Sequence, residues 1–131
     1  MAARDNGIVV RQIERSVEET VERIKSILSA KGITLFAVID HSGEAAKSGL
    51  TMPNTKLLIF GNPKGGTPVM LAAPSAALDL PLKILVAEDV AGQVTVCWNS
   101  GEYLQQRHGI PESLLANIGV VEGLVKAAMA G

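Results

Sequence analysis

Residues 82–98, LKILVAEDVAGQVTVCW, contain the two apolar runs that decide the fold of this chain. We predict strands at Leu82–Glu88 and Gln93–Trp98, because the β-branched residues in both runs favour strands. The residues between the runs end in Gly92 and are few enough for a hairpin. The two strands are therefore expected to be antiparallel neighbours in one sheet.

Three more runs of the same kind extend this sheet, at Ile8–Ile13, Ile33–Ile39 and Lys56–Phe60. The last of them stops at residues 61–63, Gly-Asn-Pro, which is a strong turn signal. Because most of these strands follow one another with little between them, the pattern favours an antiparallel sheet of about five strands.

Two long helices are predicted to cover one face of the sheet. The first begins at a capping box, with Ser16 and Glu19 in an S-x-x-E pattern, and ends near Gly32. Its apolar residues recur at the three- and four-residue spacing of an amphipathic helix. The second helix starts at Pro111, and four residues form its apolar face: Leu114, Ile118, Val121 and Val125.

Short helical turns are expected after three of the strands, each capped by a hydroxyl side chain at Ser42, Thr67 or Ser100. The whole order is strand, long helix, four strands, long helix, which predicts an α+β class. No repeat or linker interrupts it, so residues 1–131 are predicted to form a single domain.

The two central runs are apolar on both faces, at residues 57–60 and 84–87. A strand with one solvated face would alternate between apolar and polar residues, and these strands do not. A second surface must therefore cover the other face. The sequence predicts a homodimer, with a cradle for a ligand as the alternative.

The composition excludes several classes of protein. The net charge of −1 provides no basic surface for nucleic acid, and aromatic residues, at 3%, are too few for base stacking. Cys97 is the single cysteine, so no internal disulfide can form. Neither a signal peptide nor a membrane span is evident, and we predict a cytoplasmic protein without a cofactor.

Several phrases in the chain resemble the domain of unknown function 302 family of small bacterial and archaeal proteins. These phrases are Asp40-His41, residues 57–63 (LLIFGNP), residues 66–68 (GTP), residues 79–83 (DLPLK) and residues 103–108 (YLQQRH). The resemblance implies a compact α+β domain similar to half of a TATA-binding protein, and it implies dimers. It implies no established activity, so no catalytic role is carried over from it.

The turn Gly61–Thr67 is a candidate anion site. It lacks the lysine that a Walker loop places just before its serine or threonine, so that mechanism does not apply. Backbone N–H groups of Gly65 and Gly66, together with Lys64 and Thr67, can still hold an anion. The alternative is a plain turn in which the glycines accept positive φ.

Histidines and carboxylates provide the remaining candidates. His41 is the candidate general acid or base, since histidine titrates near neutral pH, and Asp79 or His108 is the candidate assistant. Each candidate also has a structural alternative. Asp40 can make a turn hydrogen bond, and Asp79 can make hydrogen bonds that hold neighbouring residues in place. Arg107 and His108 can stabilise the C-terminus of a helix. Their spacing does not predict a metal site.

We therefore expect a homodimeric domain that binds a small molecule or a protein partner, with one polar cluster at the ends of the sheet. The cluster comprises Asp40, His41, Asn62, Lys64, Gly65, Gly66, Thr67, Asp79, Arg107 and His108. The first alternative is a small enzyme that uses His41. The second is a purely structural dimerisation module, in which the backbone donors of the glycine turn are all used internally.

Overall fold

Five antiparallel strands form one sheet in the computed structural model, which describes residues 6–130. They are β1 (Ile8–Ile13), β2 (Thr34–Asp40), β3 (Thr55–Gly61), β4 (Leu82–Glu88) and β5 (Val94–Asn99). Their order in the sheet is β1-β5-β4-β3-β2, so the predicted β4–β5 hairpin lies at its centre. The α+β class and the five-stranded antiparallel sheet are confirmed.

The helices lie between and after the strands. They are α1 (Val17–Ala30), α2 (His41–Lys47), α3 (Pro63–Ala72), α4 (Gly101–His108), α5 (Leu115–Ile118) and α6 (Val121–Met129). Two short 3₁₀ turns complete the chain, at Pro74–Leu78 and Glu112–Leu114. Helix α1 packs against β2, β3 and β4 and also against α6, so these two helices share one face of the sheet.

The start of α1 agrees with half of the predicted capping box. The Glu19 N–H donates to Ser16 Oγ over 3.0 Å, which satisfies one of the unpaired donors of the first turn. The Glu19 carboxylate does not accept the backbone N–H of the capping residue, because it pairs with Arg15 instead. A single side-chain cap is therefore enough to begin this helix.

Two other helix predictions were wrong. The helix after β3 begins at Pro63 and not after a cap at Thr67, because the Asn62 side chain caps it by accepting the Lys64 N–H. The predicted last helix is divided into the second 3₁₀ turn, α5 and α6. Gly119 ends α5, and the chain changes direction there before α6 begins.

The core lies between the sheet and the helices. Leu58, Ile84 and Val96 project from three neighbouring strands and are fully buried, and Ile24 and Leu28 of α1 are buried with them. Burial of each such side chain stabilises the fold by about 2 kcal/mol before entropy is counted. The alternate residues of these strands point to the opposite face.

That opposite face carries an apolar row across the entire sheet, which we call the open face row. Strand register aligns Val10 with Cys97, Cys97 with Leu85, Leu85 with Leu57, and Leu57 with Ile39. Every residue of the row is only partly buried, and Ile39 is 37% exposed. The apolar character of both faces, predicted from the central strands, is therefore visible in the structure.

Candidate functional site

Strand register places the predicted polar cluster at two opposite ends of the sheet. Asp40 is paired with Lys56 at the start of β3, whereas Thr34 is paired with Gly61 at its end. A strand of six residues spans about 20 Å, so His41 lies far from the turn that follows Gly61. A single cluster that joins His41 to the glycine turn does not exist in this structure.

At the first end, Asp40 caps α2, and the prediction that Ser42 caps this helix was wrong because the helix begins one residue before Ser42. Its Oδ1 accepts the Ser42 hydroxyl over 2.7 Å and the Gly43 N–H over 3.0 Å. These hydrogen bonds, the one from Ser42 being the stronger influence, lower the pKa of the Asp40 carboxyl below its ordinary value of 3.8. His41 is the exposed first residue of α2. The structural alternative for Asp40 therefore agrees with what is observed.

The second end of the sheet has a cavity of about 460 Å³. Its walls come from the ends of β3 and β4, from α3 and from α5. The apolar residues that line it are Ile33, Phe36, Phe60, Pro63, Met70, Leu80, Pro81, Leu82, Ala116, Ile118 and Val120. None of the described residues that line the cavity is ionisable.

The glycine turn contributes to this cavity but uses its backbone donors internally. The N–H groups of Gly65 and Gly66 both donate to the Asn62 carbonyl over 2.9 Å, as the first turn of α3 requires. Lys64 is exposed and does not line the cavity. An anion at this turn would have to rely on side chains, so the predicted backbone anion site has no support here. An anion site at this turn that uses side chains stays a prediction.

Three polar side chains do line the cavity, those of Asn62, Thr67 and Asn117. Asn117 Nδ2 donates to the Gly65 carbonyl over 3.0 Å and so ties α5 to α3. Its Oδ1 is left as an acceptor. Asn117 was missed from the sequence because nothing local marks a residue that acts across 52 positions of the chain.

Asp79 brings together the residues at the end of α4. Arg107 donates to both Asp79 oxygens, over 3.2 and 3.0 Å, and His108 Nε2 lies 2.5 Å from Asp79 Oδ2. The other ring nitrogen of His108 lies 2.7 Å from the Ser75 hydroxyl. The predicted neighbours Asp79, Arg107 and His108 thus meet, and Ser75 joins them although no sequence motif marks it.

The charged groups near this end are held by the chain itself. The Lys83 amine donates to the backbone carbonyls of Asp79 and Pro81 over 3.1 and 2.8 Å. Burial lowers the pKa of this ammonium group, and the Asp79 carboxylate opposes the change. Within residues 6–130, no three His, Cys, Asp or Glu side chains are grouped so that they could hold a metal ion.

These features define a small α+β domain with an antiparallel sheet and an apolar cavity at one end of it. Residues 9–129 match the model of the family described as Domain of unknown function DUF302, and the chain belongs to that family. The crystal structure of the uncharacterized conserved protein DUF302 from Bacillus stearothermophilus has the same fold. The TM-score is 0.77 at 17% identity, over 94% of this chain and 95% of that one.

Longer proteins contain a related segment. The fluoride-specific ion channel FluC 1 of Brucella suis is 39% identical over 106 residues, which are 81% of this chain and 42% of that protein. FluC 1 of Brucella abortus is also 39% identical over 106 residues, which are 39% of its length. This chain thus spans about two-fifths of the curated relatives that it matches. No helix within residues 6–130 has the length and apolar character needed to cross a membrane.

Proposed function

We propose that this domain binds a small, mainly apolar and uncharged molecule in the cavity at the end of the sheet. The observation that carries the proposal is the lining, which is apolar over most of its surface and has no ionisable side chain among the described residues. A cavity of about 460 Å³ lies within the range typical of ligand sites. A charged ligand would lose its hydration there without gaining a counter-ion.

Polar groups in the lining give the ligand an orientation. Within residues 6–130, neither the Asn62 Nδ2 group nor the Thr67 hydroxyl makes a hydrogen bond, so both can donate to an oxygen of the ligand. Asn117 Oδ1 can accept from the same end of the ligand. The proposed ligand class is therefore an apolar body with one neutral polar end, such as a hydroxyl or an amide.

The test uses N-phenylnaphthylamine, a neutral fluorophore, with the freshly purified chain. A Cβ on Gly66 would meet only the ends of two flexible side chains, at 3.9 and 4.0 Å, so Gly66→Leu can place its side chain in the cavity. We expect this variant to weaken binding of the fluorophore at least about tenfold, which corresponds to 1.4 kcal/mol. Gly123→Leu is the matched control, because a Cβ at that position would meet no atom within 4 Å apart from its own stretch of helix.

Equal binding by both leucine variants would contradict the proposal, because the fluorophore would then occupy another apolar surface. Native mass spectrometry of the same preparation gives a second measurement. We expect any retained small molecule to be lost from the Gly66→Leu variant and kept by the Gly123→Leu variant.

A second copy of the chain is the proposed partner for the open face row. By the strand register, Lys83 is the one Lys, Arg, Asp or Glu residue on this face among the described strands. The plane of a five-stranded sheet has an area of roughly 500 Å², and the protruding side chains make its accessible surface area larger. A standard interface needs about 800 Å² from each partner, so sheet-to-sheet packing would use the whole face.

Leu85→Glu tests the dimer, because Leu85 is at the centre of the open face row. We expect light scattering to give twice the 13.7 kDa chain mass for the unmodified protein and the single mass for this variant. Val90→Glu is the control, since Val90 is 97% exposed in the β4–β5 connection and should leave the dimer intact. An unmodified chain that is monomeric at micromolar concentration would contradict the proposal.

A second candidate function is an accessory role in fluoride transport, which the Brucella relatives favour. The cavity lacks the charged donors that would hold fluoride itself, so the domain would act on the transport protein and not as a fluoride store. The test is growth on fluoride of a fluoride-sensitive bacterial strain that carries a channel, with and without this chain. Unchanged resistance would contradict an accessory role.

A further inference from the structure

Ser75, His108 and Asp79 form a continuous hydrogen-bonded series outside the cavity. Ser75 Oγ lies 2.7 Å from His108 Nδ1, and His108 Nε2 lies 2.5 Å from Asp79 Oδ2. None of the three residues lines the cavity. The His108 side chain is only 4% exposed, whereas Ser75 is exposed to solvent, so the series leads from a partly buried carboxylate through a buried imidazole to an accessible hydroxyl.

The partners of His108 determine which ring nitrogen carries the proton. The Asp79 carboxylate pairs with the Arg107 guanidinium and can only accept hydrogen bonds. Neutral His108 must therefore donate from Nε2, which leaves Nδ1 as the acceptor for the Ser75 hydroxyl. The same division of roles, with the two nitrogens exchanged, activates the serine of serine hydrolases.

We propose that Ser75 is a nucleophile for acyl transfer, with His108 as its general base and Asp79 as the positioning residue. In the first step, Ser75 Oγ bonds to the carbonyl carbon of an ester and its proton passes to His108 Nδ1. The ester C–O bond then breaks, and the leaving alcohol takes that proton. Water next attacks the acyl-serine, with His108 again accepting a proton, and free acid and serine result.

The surroundings of Ser75 define the acyl group. Leu78 follows Ser75 by three residues in the same 3₁₀ turn, and side chains at this spacing lie on one face. Leu78 is 72% exposed, so an apolar acyl chain can cover it when the ester reaches Ser75. We therefore assign the site to small esters with a short aliphatic acyl group.

The experiment treats the full chain with an alkyl fluorophosphonate, in which a serine displaces fluoride from phosphorus, and locates the adduct by mass spectrometry. We expect the adduct on Ser75 and none in Ser75→Ala. General-base assistance is worth about 100-fold or more, so His108→Gln should slow labelling by that factor. Hydrolysis of p-nitrophenyl butyrate should fall in parallel. Ser26→Ala, at an exposed serine of α1, is the matched control and should label normally.

Three results would overturn the proposal: no adduct on the unmodified chain, an adduct at another residue, or labelling of Ser75 that His108→Gln leaves unchanged. Thermal unfolding of each variant shows whether it is folded. The first two results are obtained with the unmodified chain and do not depend on whether a variant folds. Labelling of Ser75 and binding of the fluorophore are measured separately, and none of the three residues of the series lines the cavity. Failure of the binding proposal is thus distinguishable from failure of this one.

Discussion

Asp79 connects two segments of the chain through one carboxylate. It belongs to the end of the first 3₁₀ turn, and both of the side chains that hydrogen-bond to it belong to the end of α4. Its side chain is 17% exposed, so water replaces these contacts poorly when they are lost. We infer that this carboxylate holds α4 against the 3₁₀ turn whether or not Ser75 is reactive.

Asp79→Asn should lower the free energy of unfolding by about 2 kcal/mol, because it weakens charged hydrogen bonds at a mostly buried position. Urea denaturation measures the change. Glu22→Gln is the control, since its pair with Lys25 is exposed and should contribute only a few tenths of a kcal/mol. Equal stability of the two variants would show that the Asp79 contacts do not hold the fold.

The lowered pKa of Asp40 predicts that the stability of the protein depends on pH. Its pKa is lowered in the folded state, so its contribution is complete above the ordinary value of 3.8 and is lost as pH falls through the folded value. Ser42→Ala removes the main cause and should raise the pKa of Asp40 towards that ordinary value. NMR titration of the Asp40 carboxyl measures this, and an unchanged midpoint in the variant would contradict the assignment.

At the scale of elements, two glycines that look equivalent in sequence have different surroundings. A Cβ on Gly101, at the start of α4, would lie 3.1 Å from Gly119 Cα and 3.4 Å from its nitrogen, which are backbone atoms that cannot rotate away. Gly123 in α6 has open space around it. The close approach therefore involves Gly119 and lies between α4 and the end of α5.

Gly101→Ala should therefore destabilise the protein by about 1–2 kcal/mol, through displacement of the α5 end. Gly123→Ala should stabilise it by about 0.5–1 kcal/mol, because alanine restricts the unfolded chain and favours helix. Thermal unfolding of the two variants gives the comparison. A stabilising Gly101→Ala would mean that α4 and α5 are further apart than the structure places them.

At the scale of the whole molecule, the open face row predicts how a dimer would respond to salt. Salt screens charges and affects apolar burial much less, and Lys83 is the single Lys, Arg, Asp or Glu residue of this face among the described strands. The dissociation constant should change less than about threefold between about 0.05 and 0.5 M sodium chloride. Sedimentation equilibrium measures it, and strong weakening by salt would indicate a charged interface elsewhere.

The sequence by itself determined the strands, helix α1 and the apolar character of both sheet faces. Observed strand limits agree with the predicted ones to within a residue, at Ile8–Ile13 and Leu82–Glu88 without any difference. These features depend on the alternation and spacing of neighbouring side chains, which a short window of sequence contains. The division of the last helix was missed because apolar spacing continues through Gly119.

Only the tertiary structure decided which polar residues meet. Ser75 and His108 are 33 positions apart and Asp79 and His108 are 29 apart, so their contact depends on how the 3₁₀ turn and α4 pack. The separation of His41 from the glycine turn likewise follows from the register of β2 on β3. Local patterns carry no information on such distances, because register and packing are set by the whole core.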